Sequence, residues 1–307
     1  MAFLKLIRYK NLLMLALMQL IFKYGFIKLQ AVPQALSDLN YLLFVFATAC
    51  IAAGGYLINN ILDTETDKIN KPENVVIGRS ISEAAGYNIY IALNVIGVGL
   101  GFYLANVIGK PNFAAVFIII AATLYVYASG LKQSLLAGNI IIALLLALSI
   151  LVVGVFDLLP VIVPENQAVM GLLFRILLDY AIFAFILNFI REIVKDLEDV
   201  KGDYNQGMNT LPIALGVSRT ARLVFGLSFI PIVLLVYYIN ENLFSNGLYY
   251  ASAYGLVFIL GPLLYFTAKI YAAKSTRDFR HLSAVLKLAI FFGILSILIV
   301  NYNIKYA

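Results

Sequence analysis

Residues 41–62 read YLLFVFATACIAAGGYLINNIL, a run without one Asp, Glu, Lys, Arg or His, and residue 63 is an aspartate. An α-helix needs roughly 20 mostly apolar residues to cross a hydrocarbon core about 30 Å thick, so this run is a span and Asp63 marks where it leaves the membrane. The same reading applied outward finds eight more such stretches, near 12–28, 87–108, 112–130, 135–156, 168–190, 221–240, 248–272 and 284–301. The expected fold is therefore an all-α integral membrane protein, with nine transmembrane helices in a single bundle. Composition agrees: of 307 residues, 63% are apolar and 12% charged, about half the charged share of an ordinary soluble domain.

The placement of charge says more than the net +6. With the N-terminus in the cytoplasm, 17 of the 22 Lys and Arg fall on the inner side, leaving Lys23, Lys28, Lys110, Arg175 and Lys305 outside. This is the positive-inside asymmetry, and it predicts a multi-pass protein of the cell (plasma) membrane with N-terminus and active site facing the cytoplasm. A basic surplus explained by topology is no nucleic-acid footprint. The single cysteine, Cys50, lies within a span, which excludes a disulfide framework or a cysteine metal cluster. The first stretch opens with Lys5, Arg8 and Lys10 but is interrupted by Lys23 and followed by no convincing cleavage site, so it reads as a retained span.

No linker divides the chain, and residues 1–307 read as one membrane domain. Its longest polar connections, 63–84 and 191–220, follow the second and sixth spans. That placement gives a weak internal repeat of two four-helix blocks plus a ninth helix, each block carrying acids at the end of its second helix. Gly54 and Gly55 in the second span, and Gly97, Gly99 and Gly101 in the third, read as sites of close helix approach.

The first acidic segment is Asn59-Asn60-Ile61-Leu62-Asp63-Thr64-Glu65-Thr66-Asp67. Asn59, Asp63 and Asp67 recur every four residues and share one face if the helix continues to Asp67, with Pro72 as its limit. Carboxylates stacked on one face repel one another unless a cation intervenes, and oxygen ligands of this kind suit magnesium, which also recruits substrate phosphates. A lone acid at a span end is more often a solvated charge. The recurrence of the arrangement in the other half decides for the metal: in Arg191-Glu192-Ile193-Val194-Lys195-Asp196-Leu197-Glu198-Asp199-Val200-Lys201-Gly202-Asp203, Asp196, Asp199 and Asp203 keep helical spacing and Arg191 and Lys195 extend the stripe. Asn59, Asp63, Asp67, Asp196, Asp199 and Asp203 are thus the expected metal ligands, with Asp63, Asp67, Asp199 and Asp203 essential to catalysis. Two such clusters would hold magnesium ions around a diphosphate and help it depart.

Between the clusters, Lys132 reads equally as a diphosphate contact or as an ordinary inner-face anchor, and Lys71 and Arg79 stand in the same position. Asn139 is costly in lipid unless it faces the bundle interior, as polar packing or as part of a site. His281, the only histidine, reads as a solvated residue of a basic connection.

Taken together, the N-x-x-x-D-x-x-x-D of Asn59, Asp63 and Asp67, the D-x-x-x-D of Asp199 and Asp203, the Tyr127 to Lys132 segment with Gly138-Asn139, and Thr210-Leu211-Pro212-Ile213 resemble the UbiA superfamily of intramembrane prenyltransferases. Arg191-Glu192 with Lys195-Asp196, and the early Arg8-Tyr9-Lys10-Asn11, look most like its digeranylgeranylglyceryl phosphate synthase group. The resemblance implies a magnesium-dependent transfer of a polyprenyl group from its diphosphate to a lipophilic acceptor, geranylgeranylglycerol phosphate as first choice and an aromatic ring of quinone or chlorophyll precursors as second. It implies substrate contacts at Asn59, Lys132, Lys71, Arg79, Tyr127, Asn139, Arg191, Lys195 and Asn11. The expected partners are the prenyl diphosphate, the acceptor and the bilayer, with no obligate protein partner. The chain departs from the pattern at Asn60, where many relatives carry Asp, and at Asn74-Val75 in place of Arg-Pro, so that Arg79 stands in for a phosphate-binding arginine or the phosphate environment differs. A secondary transporter is the distant alternative, since its site should lie near the bilayer midplane rather than at one face.

Overall fold

A computed structural model describes residues 2–70, 72 and 75–306. Among the described residues nine helical segments are long and apolar enough to cross a membrane, from Tyr9–Gln30 to Thr276–Tyr306. A short helix α1 (Ala2–Leu6) precedes the first, which comprises α2 (Tyr9–Tyr24) and a tight turn at Ile27–Gln30. Then come α3 (Asp38–Leu62), α4 (Thr64–Asn70), α5 (Glu83–Val107), α6 (Ala114–Ser129), α7 (Ala137–Asp157) and α8 (Gln167–Asn205). The last third contains α9 (Leu211–Leu215), α10 (Val217–Leu227), α11 (Phe229–Tyr238), α12 (Tyr249–Tyr254), α13 (Gly261–Ile270) and α14 (Thr276–Tyr306). Large apolar side chains such as Phe102, Ile119, Leu172, Val233 and Val257 are about 60% exposed, as expected where lipid and not water is the solvent.

Helix starts follow local chemistry. Ser37 caps α3 by accepting the Asn40 N–H at 3.3 Å, and Ser82 caps α5 by accepting that of Ala85 at 3.2 Å. Ser275 and Asp278 cap the start of α14 reciprocally, through Asp278 N–H to Ser275 Oγ at 3.1 Å and Ser275 N–H to Asp278 Oδ2 at 2.9 Å. His281 therefore lies on the first turns of α14, not in a connection, and bonds the Tyr265 hydroxyl at 3.0 Å. That corrects its expected place in a connection, while its exposure agrees with the expectation of a solvated residue.

The residues form two compact units: one made of 1–20, 31–134 and 148–177, the other of 21–30, 135–147 and 178–307. The first contains α3 to α6 whole, and small residues set its packing. A Cβ on Gly97 would meet Ile51 Cγ1 at 2.6 Å, and one on Gly55 would meet Leu124 Cδ1 at 2.8 Å, whereas Gly99 faces open space. Phe44, Phe117 and Phe156 stack their rings edge-on or tilted at 5.3–6.3 Å. The second unit is built on Ile190, Ile193, Val194 and Leu197 of α8, in one apolar cluster with Leu263, Phe266, Ile270, Phe279, Leu282 and Leu286. In it the seventh and eighth spans each contain a π-helical segment, Ile239–Leu243 and Gly255–Leu260, and Gly255 lets the Ile239 side chain come close.

Candidate functional site

The first acidic segment sits at a controlled break. The α3 helix ends at Leu62, and Asp63 takes φ −90° and ψ 3°, the bridge region common at turns and active sites. The Thr64 hydroxyl donates back to the carbonyls of Asn60 and Ile61 at 3.0 and 2.9 Å, a pattern that bends helices. Even so, the Asp63 N–H reaches the Asn59 carbonyl and the Asp67 N–H the Asp63 carbonyl, both at 2.8 Å. The four-residue ladder thus passes through the break, and Asn59, Asp63 and Asp67 keep one stripe, as their spacing requires. The α4 helix stops at Asn70, two residues before Pro72.

Both oxygens of the Asp63 carboxylate are engaged. Asn59 Nδ2 donates to Oδ2 at 2.6 Å, and the Lys132 ammonium pairs with Oδ1. The lysine comes from a tight turn, Leu131–Gln133, that follows α6. Its side chain is 10% exposed and that of Asp63 16%, so the pair is largely shielded from solvent. Beside it Asn59 Oδ1 is buried without a hydrogen-bond partner. A buried orphan acceptor is costly unless something is meant to meet it. Tyr127, on α6, and Asp67 are half-buried in the same unit.

Asn60 faces another way. Its amide donates to the carbonyls of Leu6 at 2.9 Å and Tyr56 at 2.8 Å, tying α1 to α3. The Arg8 guanidinium lies 5.4 Å from the Tyr56 ring centroid on the same helix, and Asn11 is half-buried in the first turn of α2. Arg79 is exposed and donates to the Pro72 carbonyl at 3.1 Å. Lys71 and Asn74 lie outside the described residues.

The second acidic segment continues α8 as an unbroken helix to Asn205. Asp196 accepts the Asn139 amide from α7 at 2.7 Å, and Asn139 is 6% exposed. Glu192, also 6% exposed, takes Lys195 at 2.7 Å and Arg191 at 3.6 Å, while Arg191 Nε also donates to the Ser283 carbonyl at 3.3 Å. Asp199 is half-buried and Asp203 buried. Arg280 of α14 bonds Glu198 at 3.0 Å. Sequence reading missed the part of Glu192, although its three-residue spacing to Lys195 was visible. Nothing in the sequence pairs Arg280 with Glu198, which lie far apart in the chain.

Among the described residues no three His, Cys, Asp or Glu side chains form a ready-made metal cage. That suits magnesium, which is usually held by one or two carboxylates with substrate phosphates and water completing the shell. The Asn59 and Asp63 oxygens fit such a partial site. They would not fit a metal that demands thiolate or imidazole.

The model of the UbiA prenyltransferase family matches residues 26–295. The chain belongs to this family. As a UbiA prenyltransferase it is an enzyme that moves a prenyl group, and the nine apolar helices among the described residues make it a multi-pass integral membrane protein. The chain is 30% identical over 256 residues to the digeranylgeranylglyceryl phosphate synthase of Korarchaeum cryptofilum, 83% of either chain being covered. Its fold matches a solved structure described as digeranylgeranylglyceryl phosphate synthase in membranes, with TM-score 0.65, 22% identity and 98% and 97% of the two chains covered. It also matches a UbiA homolog from Archaeoglobus fulgidus bound to GPP and Mg2+, with TM-score 0.59, 16% identity and 97% and 99% covered.

Proposed function

We propose that this UbiA prenyltransferase transfers a polyprenyl group to the hydroxyl of geranylgeranylglycerol phosphate, forming an ether lipid. The observation that carries the reading is the shielded Asp63 carboxylate, held between the Asn59 amide and the Lys132 ammonium beside the orphaned Asn59 Oδ1. This arrangement mixes oxygen ligands for a hard cation with a cation for an anion, which is what a magnesium diphosphate presents. The similarity to digeranylgeranylglyceryl phosphate synthases supports the acceptor. All 307 residues act as one membrane domain in this reading.

The chemistry is a substitution at the allylic carbon. The carbon–oxygen bond to the diphosphate breaks, with the electron pair leaving on the diphosphate. The acceptor hydroxyl oxygen bonds to that carbon and its proton passes to the departed diphosphate, leaving an ether. Magnesium, when bound, neutralises charge building on the departing group. Asn59, Asp63, Asp67, Asp196, Asp199 and Asp203 would hold it. Lys132 binds diphosphate oxygens, Asn139 orients Asp196, and Glu192 fixes Arg191 and Lys195 on the α8 surface. The apolar interior keeps water from the carbocation. Tyr127, Asn11, Arg79 and Lys71 remain assigned to the substrates. The positive-inside distribution supports a cytoplasmic N-terminus and active site in the plasma membrane.

Purified protein in lipid, given magnesium, labelled prenyl diphosphates of several lengths and a panel of acceptors, tests this. An allylic ether on geranylgeranylglycerol phosphate, cleaved by acid, is expected. A ring-alkylated aromatic product as the preferred one would reassign the acceptor, and no transfer to any acceptor would sink the reading.

A further inference from the structure

We infer that Lys132 is an exchangeable counter-ion of Asp63, which makes metal binding at Asp63 conditional on the arrival of the diphosphate. The inference deepens the reading above and rests on it. Asp63 Oδ1 is held by Lys132 and Oδ2 by Asn59 Nδ2, so neither oxygen is open to a metal while these partners stay. An ammonium already seated on a carboxylate also repels a dication approaching the same group, and the shielding of both side chains leaves little water to screen that repulsion.

Lys132 can move without the backbone moving. Its turn is pinned by Gln133 N–H to the Gly130 carbonyl at 3.0 Å and Ser134 N–H to that of Leu131 at 3.1 Å, and the charge rides on a flexible four-carbon stem. A diphosphate offers that charge several anionic oxygens. Once Lys132 transfers to them, Asp63 Oδ1 is released, and it and the orphaned Asn59 Oδ1 would be the protein oxygens available to hold an incoming ion. Metal and diphosphate should therefore bind cooperatively at this cluster, and metal alone poorly, which spares the free enzyme an occupied site that repels nothing but its own lysine.

The test is a set of Mn2+ titrations of detergent-solubilised protein, followed by water proton relaxation, with metal alone and with added inorganic diphosphate. In the wild-type background Asp63→Asn should leave metal-alone affinity unchanged, because Asp63 is already occupied, yet lower the affinity measured with diphosphate. Lys132→Gln should raise metal-alone affinity about tenfold, on the scale of one charge-assisted bond. Adding Asp63→Asn to Lys132→Gln should erase that rise, and Lys132→Arg should keep wild-type behaviour. If Asp63→Asn weakens metal-alone binding in the wild-type background, or Lys132→Gln fails to strengthen it, the exchange is wrong while Asp63 can remain a ligand. If Asp63→Asn changes neither condition, the assignment of metal and diphosphate to this cluster fails, and the exchange with it. Should Lys132→Gln not fold, the comparison of wild type with Asp63→Asn decides alone.

Discussion

Asn60 holds the carbonyl of Leu6 at 2.9 Å, a bond that only a donor can make and that an aspartate at the same position would lose. The departure from the family pattern at this residue thus has a structural role, anchoring the N-terminal helix, rather than being a missing metal ligand.

Asn60→Asp should release that anchor. Two hydrogen bonds, to Leu6 and Tyr56, would be replaced by a carboxylate facing two carbonyl oxygens. At about 0.5–1.5 kcal/mol per bond the loss should be about 1–3 kcal/mol. It would appear as a lower thermal midpoint in detergent and faster tryptic cutting at Lys5. Unchanged cutting and midpoint would mean that α1 is held by other contacts.

The carboxylates should be needed for turnover more than for folding. Asp199→Asn preserves volume and deletes one charge, and a loss of turnover on the order of 10²-fold or more is expected, the scale of transition-state stabilisation a catalytic metal supplies. Asp63→Asn should match it in turnover but also lower stability, because it removes the charge that the shielded Lys132 pairs with. Exhaustive chelation should abolish wild-type activity and magnesium restore it. Near-normal turnover in both variants would remove the acids from the reaction.

Neighbouring glycines of α5 should respond with opposite signs. A Cβ at position 97 would stand 2.6 Å from Ile51 Cγ1 and 3.1 Å from the Ala47 carbonyl oxygen, whereas one at position 99 would meet nothing within 4 Å beyond the backbone of its own helix turn. Gly97→Ala should cost about 1–3 kcal/mol by overpacking. Gly99→Ala should gain roughly 0.5–1 kcal/mol from lower chain entropy in a helix. Equal shifts in thermal midpoint would show that the α3–α5 approach is looser than its geometry.

The proposed orientation puts both acidic segments in the cytoplasm. In a Cys50→Ala background, single cysteines at Ser80 and Gln206, each exposed, should react with a membrane-impermeant maleimide only from the cytoplasmic side. Labelling from opposite sides would rule out a shared diphosphate.

The nine spans among the described residues were legible because lipid imposes a length and polarity that ordinary composition does not meet by chance, as in residues 41–62. The helix ends were less so. Hydropathy stops at 190 because Arg191 is charged, yet α8 runs on to Asn205, for a charge ends a span and not a helix. The ninth helix starts at Thr276 rather than near 284, and Ser275 with Asp278 is a capping box that could have located it. The candidate acids stand out in the sequence by their spacing and its recurrence in the two halves. Their partners do not, since Lys132 lies 69 residues from Asp63 and Asn139 lies 57 from Asp196, separations at which no local periodicity pairs one side chain with another.

The unbroken course of α8 from Gln167 to Asn205 makes it a torsion rod as well as a span. At 3.6 residues per turn, one residue inserted near its start, after Gly171 for example, would lengthen it by only about 1.5 Å but would rotate everything downstream by about 100°. Asp196 would then point away from Asn139 although no residue near either had changed. In the first segment the helix is instead interrupted at Asp63, where α3 ends and α4 begins. Length variation among related chains should therefore collect in the loop before Gln167 and be purged from the helix itself, so that the Gln167 end of α8 is as constrained in phase as its acidic end is in chemistry.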